Sequence, residues 1–167
     1  QLTVSLERPM ISDWAWGFAY TYTNATDVSP LTSSQNTSNW GSTLITNVNE
    51  ELSSRSRYAI KDRFSGNVTW QHDFFGDNTT RVGLVYEGRS GRPFSYIFRN
   101  DANGDSSGVN QAGYFNDLFY VPAGPGDVLW TGGAAMEQAF FSFLANTPDL
   151  QRFQGQVAPA NAFRTDW

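Results

Sequence analysis

The stretch Trp14-Ala15-Trp16-Gly17-Phe18-Ala19-Tyr20-Thr21-Tyr22 sets five large aromatic side chains on one side of an extended chain. Only small or polar groups stand on the other. A repeat of two is the side-chain period of a β-strand, so the stretch reads as a strand with one apolar and one polar face. Its neighbours repeat the pattern. Upstream, Leu2, Val4 and Leu6 alternate with Thr3, Ser5 and Glu7. Downstream, Phe64, Val68 and Trp70 alternate with Ser65, Asn67, Thr69 and Gln71, and then Thr80, Val82, Leu84 and Tyr86 with Arg81, Gly83, Val85 and Glu87. The expected fold class is all-β, with about four antiparallel strands inside residues 1–88.

Composition narrows the choice further. Hydrophobic residues make up 40% of the 167, aromatics 16% and charged residues 16%. A soluble domain usually carries about 45–50% apolar and about 25% charged residues. Disordered chains are poor in aromatics, which argues against disorder. No run approaches the roughly 20 apolar residues of a membrane helix. A net charge of −5 with a single Lys disfavours nucleic acid as a partner. The absence of cysteine excludes disulfides, thiolate metal sites and cysteine nucleophiles. No signal segment opens the chain, which therefore reads as a mature protein or a piece of a longer one.

The connections between these strands alternate in length. Residues 8–13 (RPMISD) and 73–78 (DFFGDN) form short turns, whereas residues 24–62 make a long Ser/Thr/Asn-rich loop and 89–167 a second long, irregular region. Within the latter, 134–145 (AAMEQAFFSFLA) reads as a short helix, and a further helical turn runs from Asn146-Thr147-Pro148 through Phe153. Short turns at one end and long loops at the other, joined by strands of about ten alternating residues, are the pattern of a transmembrane β-barrel. In that reading Trp14, Trp16, Phe18, Tyr20, Tyr22 and Trp70 form a lipid-facing aromatic belt. Arg81 and Glu87 face the lumen, as polar residues fill any large barrel's interior. Four strands cannot close a barrel, since the smallest bacterial ones need eight. The chain is thus read as a fragment, with residues 1–88 supplying wall strands around one outer loop (24–62), and 89–167 a large extracellular region with no complete domain boundary.

Specific phrases then point to a family. Residues 20–34 (YTYTNATDVSPLTSS), 88–96 (GRSGRPFSY), 101–105 (DANGD), 116–122 (NDLFYVP), the helical piece around 140–150, 153–155 (FQG) and 159–164 (PANAFR) occur in that order. Together they resemble the C-terminal part of the barrel of a TonB-dependent outer-membrane receptor of the Oar-like kind, and the resemblance covers most of the chain. It implies a place in the outer membrane of a Gram-negative bacterium, in contact with outer-membrane lipid. It also implies uptake of a bulky, unidentified nutrient through a plugged barrel, energised by a TonB-type complex that acts on an N-terminal part outside this sequence. The plug, the TonB box and the final strand pair of that family have no counterpart here.

Candidate chemistry is sparse. Asp101, Asn103 and Asp105 place side-chain oxygens at alternate positions, the spacing with which a calcium loop wraps its ion. The same residues also suit an Asx-rich turn. No bidentate Glu follows at calcium-loop distance. His72 is the only histidine and is assigned no role; no nucleophile pattern accompanies it, and no carboxylate pair stands out. The chain gives no enzyme signal and requires no cofactor; calcium at Asp101, Asn103 and Asp105 is the one candidate ion. The competing reading is a secreted, soluble β-sandwich module that binds carbohydrate on exposed Trp and Tyr, with calcium at 101–105 as a structural ion.

Overall fold

The computed structural model describes residues 1–47, 49–76, 78–104 and 116–165. It is mostly β, with antiparallel sheets and few helices. In chain order the elements are β1 Leu2–Ile11, β2 Trp14–Tyr22, β3 Thr26–Asp27, α1 Asn36–Ser42, β4 Ser54–Arg55, β5 Asp62–Phe75, β6 Asn78–Arg89 and β7 Pro93–Phe94. They continue with β8 Tyr120–Val121, α2 Gly133–Ala145, α3 Pro148–Gln151, β9 Gln156–Val157 and β10 Phe163–Arg164. The chain divides into two compact units. The first comprises Gln1–Ala25 and Arg57–Pro93 with the segment from Arg164; the second comprises Thr26–Ser56 and Phe94–Phe163.

The first unit is a four-stranded antiparallel sheet in the order β1-β2-β5-β6. Its turns are tighter than the six residues expected at 8–13 and 73–78, because the strands run on into them. At the first, only Ser12 and Asp13 lie between β1 and β2, both left-handed at φ 51° and 70°. Two residues with positive φ make the turn whose twist matches that of paired strands. Pro9, with no N–H to give the ladder, sits where the register jumps from Arg8↔Trp16 to Ile11↔Trp14. A bulge is one of the few places a strand tolerates proline. The β5–β6 hairpin repeats the design, with a register shift between Asp73 and Phe75 and Gly76 at φ 64°. Below the strands, the Arg164 guanidinium donates to the carbonyls of Ala59 (3.2 Å) and Gly91 (3.2 Å), gathering three segments of this unit.

The second unit has a core of its own. Val121, Leu144, Leu150, Ala158 and Phe163 are buried together, with Tyr96, Phe119, Phe140, Phe141 and Phe153 packed around them. The helix expected at 134–145 is α2. Its Ala, Met, Glu and Gln residues are strong helix formers, and Asn146 closes it by donating its N–H to the Phe143 and Leu144 carbonyls. Pro148 then opens α3, where a missing N–H costs nothing. The long loop 24–62 is more structured than its composition suggests. It holds β3, α1 and β4, and Thr26–Ser56 joins residues 94–163 in one unit. Asn161, at φ 56°, ties the two segments: its side-chain amide donates to the Arg55 carbonyl (2.7 Å), and its N–H donates to Ser95 Oγ (2.7 Å).

Truncating Leu150 should therefore cost this unit about 2–5 kcal/mol, the usual penalty for a buried Leu→Ala change. Leu129 is fully exposed, and Leu129→Ala should fall within about 0.5 kcal/mol of the native protein. Denaturant titration followed by near-ultraviolet circular dichroism compares the two directly.

Candidate functional site

The register of the sheet sorts its side chains without ambiguity. From the turn end, successive rows of one face read Ile11-Trp14-Trp70-Val82, then Arg8-Trp16-Val68-Leu84, then Leu6-Phe18-Gly66-Tyr86, then Val4-Tyr20-Phe64-Gly88, then Leu2-Tyr22-Asp62, with Arg8 and Asp62 its charged members. All six residues expected in the aromatic belt lie on this face: Trp14, Trp16, Phe18, Tyr20, Tyr22 and Trp70. The face is uncovered. Leu6 is 66% exposed and Leu84 69%, and Leu2, Val4, Trp14, Phe18, Phe64, Val82 and Tyr86 are exposed with them. Their rings settle on one another: Trp14 and Trp70 lie 6.4 Å apart, Trp16 and Phe18 5.4 Å, and Tyr20 and Phe64 4.8 Å. Gly66 makes room for this. A Cβ there would stand 2.8 Å from the Phe18 ring, so the ring lies flat over bare backbone.

The opposite face carries Thr3, Ser5, Glu7, Ala15, Gly17, Ala19, Thr21, Arg63, Ser65, Asn67, Thr69, Gln71, Arg81, Gly83 and Glu87, with Val85 its one large apolar residue. Cross-strand polar pairs link it: Thr3 with Thr21 (3.1 Å), Arg81 donating to Gln71 (3.1 Å), and Arg63 with Glu87 (3.3 Å). The pair Arg63–Glu87 is half exposed, so it orders the side chains more than it stabilises the sheet. Both two-residue hairpins fall at the end marked by Trp14 and Trp70. The long connections leave from the other end, beside Tyr22↔Asp62 and Arg63↔Arg89.

Sequence reasoning passed over two members of the apolar face. His72 stacks on Trp70 (5.8 Å, nearly parallel) and meets Phe74 edge-on (4.7 Å), with Asp13 3.9 Å from its Nδ1. Phe74 keeps the period of two with Trp70 and His72, but it lies in the stretch 73–78 that reads as a turn.

The candidate calcium loop is described in part. Asp101 Oδ1 accepts the Gly104 N–H (2.7 Å), the closure of an Asx turn. The Asn103 side-chain amide donates to the Thr46 carbonyl (2.9 Å). Asp117, buried, accepts the N–H groups of Ala102 (2.6 Å) and Asn103 (3.3 Å). Asp105 lies outside the described residues. Among the described residues, no cluster of three or more His, Cys, Asp or Glu side chains converges as a metal site would need.

Charge divides unevenly between the units. The second holds nine of the sixteen acids and only three arginines, a net −6, while the first is close to neutral at +1. Not all of these acids are idle. Asp127 Oδ2 accepts the Ala123 N–H (2.9 Å) and the Tyr120 hydroxyl (2.8 Å), bracing the 122–127 turn against β8. The backbone donor first, and the hydroxyl second, hold the Asp127 carboxyl below its ordinary 3.8. In return, the hydrogen bond to Asp127 raises the Tyr120 hydroxyl above its ordinary 10.0.

No protein family, curated protein or solved structure matches the chain.

The Asp127 contacts set a pH dependence. A carboxyl lowered on folding stabilises fully above about pH 4 and loses that contribution as the pH falls through its folded value. Tyr120, raised on folding, contributes fully below about pH 10 and loses it as the pH rises through its folded value. Asp127→Asn should weaken the second unit near neutral pH and flatten part of its acid destabilisation below about pH 4. Unfolding midpoints measured at a series of pH values check both.

Proposed function

We propose that the chain is part of a TonB-dependent outer-membrane receptor, its four long strands belonging to the wall of a transmembrane β-barrel. The observation that carries this reading is the uncovered apolar face backed by a polar one. A monomeric soluble protein rarely exposes a contiguous apolar patch of more than a few hundred Å², yet here the exposed side chains run across four strands and five rows. Lipid removes such a face from water, and the small and polar opposite face suits a wide, wet or plugged lumen.

Dimensions agree. The nine residues of β2 extend about 30 Å at roughly 3.4 Å per residue, and about 9–11 tilted residues span a bilayer. Trp14 and Trp70 stand at the turn end, and Tyr22, with Tyr20 and Phe64 one row in, at the other, the placement of two interfacial girdles. Short turns at one end and long connections at the other follow the periplasmic and extracellular ends of such barrels. Open edges are not tolerated in hydrocarbon, so β1 and β6 would pair with further wall strands of the receptor. The sequence resemblance supplies the rest of the reading: a plug, a TonB-type energising complex and a bulky nutrient taken up by binding and gated passage with no covalent step.

A soluble carbohydrate-binding sandwich would instead bury this face beneath a second sheet, and the exposure of Leu2, Leu6 and Leu84 argues against that. Two adjacent residues separate the readings. Leu84 is on the apolar face and Val85, 80% exposed, on the polar one. In the intact receptor folded into lipid vesicles, Leu84→Arg should cost about 1–3 kcal/mol, since its row lies between the Trp14–Trp70 end and the middle row of the face. Val85→Arg should cost little. Equal tolerance of both, or a soluble monomer that melts cooperatively without detergent, would defeat the proposal.

A further inference from the structure

We propose that the segment 28–51 forms a binding cleft for a small organic cation with an apolar body, such as a protonated amine carried on an aromatic or alkyl group. The cleft lies wholly within the second unit and encloses about 350 Å³, within the size range of small-ligand sites. Val28, Leu31, Trp40 and Ile45 form its apolar walls, and Glu50 and Glu51 stand at its border. Trp40 is 53% exposed although it belongs to a short helix, α1, whose other residues are small or polar. Nothing in the packing of that helix requires a tryptophan there.

The polar groups of the wall are largely committed to shaping it. Asn39 exchanges two hydrogen bonds with the Ser33 backbone (2.8 and 2.7 Å), and Ser29 Oγ and Thr43 Oγ1 meet at 3.0 Å. Thr43 also donates to the Asn39 carbonyl (2.9 Å). The scaffold is thus preformed. The two carboxylates differ in this respect. Glu50 receives only a long hydrogen bond from Asn47 (3.4 Å), and among the described residues neither Glu50 nor Glu51 forms an ion pair.

An indole that lines the same cleft as two carboxylates outside any ion pair attracts a cation in two ways: through the ring quadrupole and through direct charge. The apolar walls accept the body that carries it. An anion would meet two like charges in a unit whose net charge is −6, and a neutral ligand would gain from the walls alone. The composition of the cleft therefore selects for positive charge.

Three isosteric probes test this: 2-phenylethylamine in its protonated form, 2-phenylethanol, and 3-phenylpropionate. Each is titrated calorimetrically into the chain in detergent, with the Trp40 indole N–H followed by nuclear magnetic resonance. The amine should bind saturably, shift the Trp40 signal and bind at least about tenfold more tightly than the alcohol, with the acid weakest. The double variant Glu50→Gln/Glu51→Gln keeps the size of both side chains and an acceptor for Asn47. It should weaken the amine about tenfold and leave the alcohol nearly unchanged, whereas Trp40→Ala should weaken both. Equal binding of amine and alcohol, an amine constant unmoved by the double variant, or no saturable binding would overturn the proposal. The cleft belongs to the second unit alone, so these outcomes hold whether or not the sheet sits in lipid.

Discussion

A sheet has two faces, and each must find a medium. In the first unit alternate rows across β1, β2, β5 and β6 put large apolar groups on the same side, Arg8 and Asp62 being the charged exceptions, because antiparallel pairing keeps directly opposed residues facing one way. The register thus turns four separately alternating sequences into a single surface. Once that surface exists, whatever covers it decides where the protein lives. The polar side imposes a matching constraint: small residues on β2 and linked polar pairs on β5 and β6 leave that side open to water or to a polar filling.

The second unit solves a different problem. It buries aromatic rings against one another and anchors its chain by side-chain hydrogen bonds to backbone, such as those of Asn161 and Asp127, instead of by long ladders. It also holds the molecule's negative charge. Apolar area and charge are therefore segregated: the first unit carries most of the exposed hydrophobic surface with almost no net charge, and the second the reverse.

Much of the first unit was legible in the sequence, because alternation is a local signal and the four long strands each carry it over five or more residues. Both turn lengths were misread, since Pro9 and the Phe74–Phe75 pair look like breaks in a strand when they are bulges within one. The helix at 134–145 was legible from its helix-forming residues. The order within 24–62 was not, for its elements are two to seven residues long and held by contacts distant in sequence, such as Asn116 donating to the Thr43 carbonyl (3.0 Å). The cleft around Trp40 was invisible for the same reason: one aromatic in a Ser/Asn-rich run gives no periodicity to detect. At 101–105 the alternate spacing of side-chain oxygens admits two chemistries, and hydrogen bonds such as that from Gly104 to Asp101 cannot be seen in a string of letters.

The short pair β3–β4 has a consequence for how this architecture tolerates change. Thr26↔Arg55 and Asp27↔Ser54 close the base of the excursion between β2 and β5, while Thr43, Ile45 and Thr46 fasten its middle to residues 103–118. Lengthening a loop costs only about 0.6 kcal/mol per doubling once its ends are held. The neck lets the parts of that segment away from Thr43–Thr46 change length while the paired ends that enter it stay in place. What lies beyond the neck can then vary on a separate clock from the strands on either side of it.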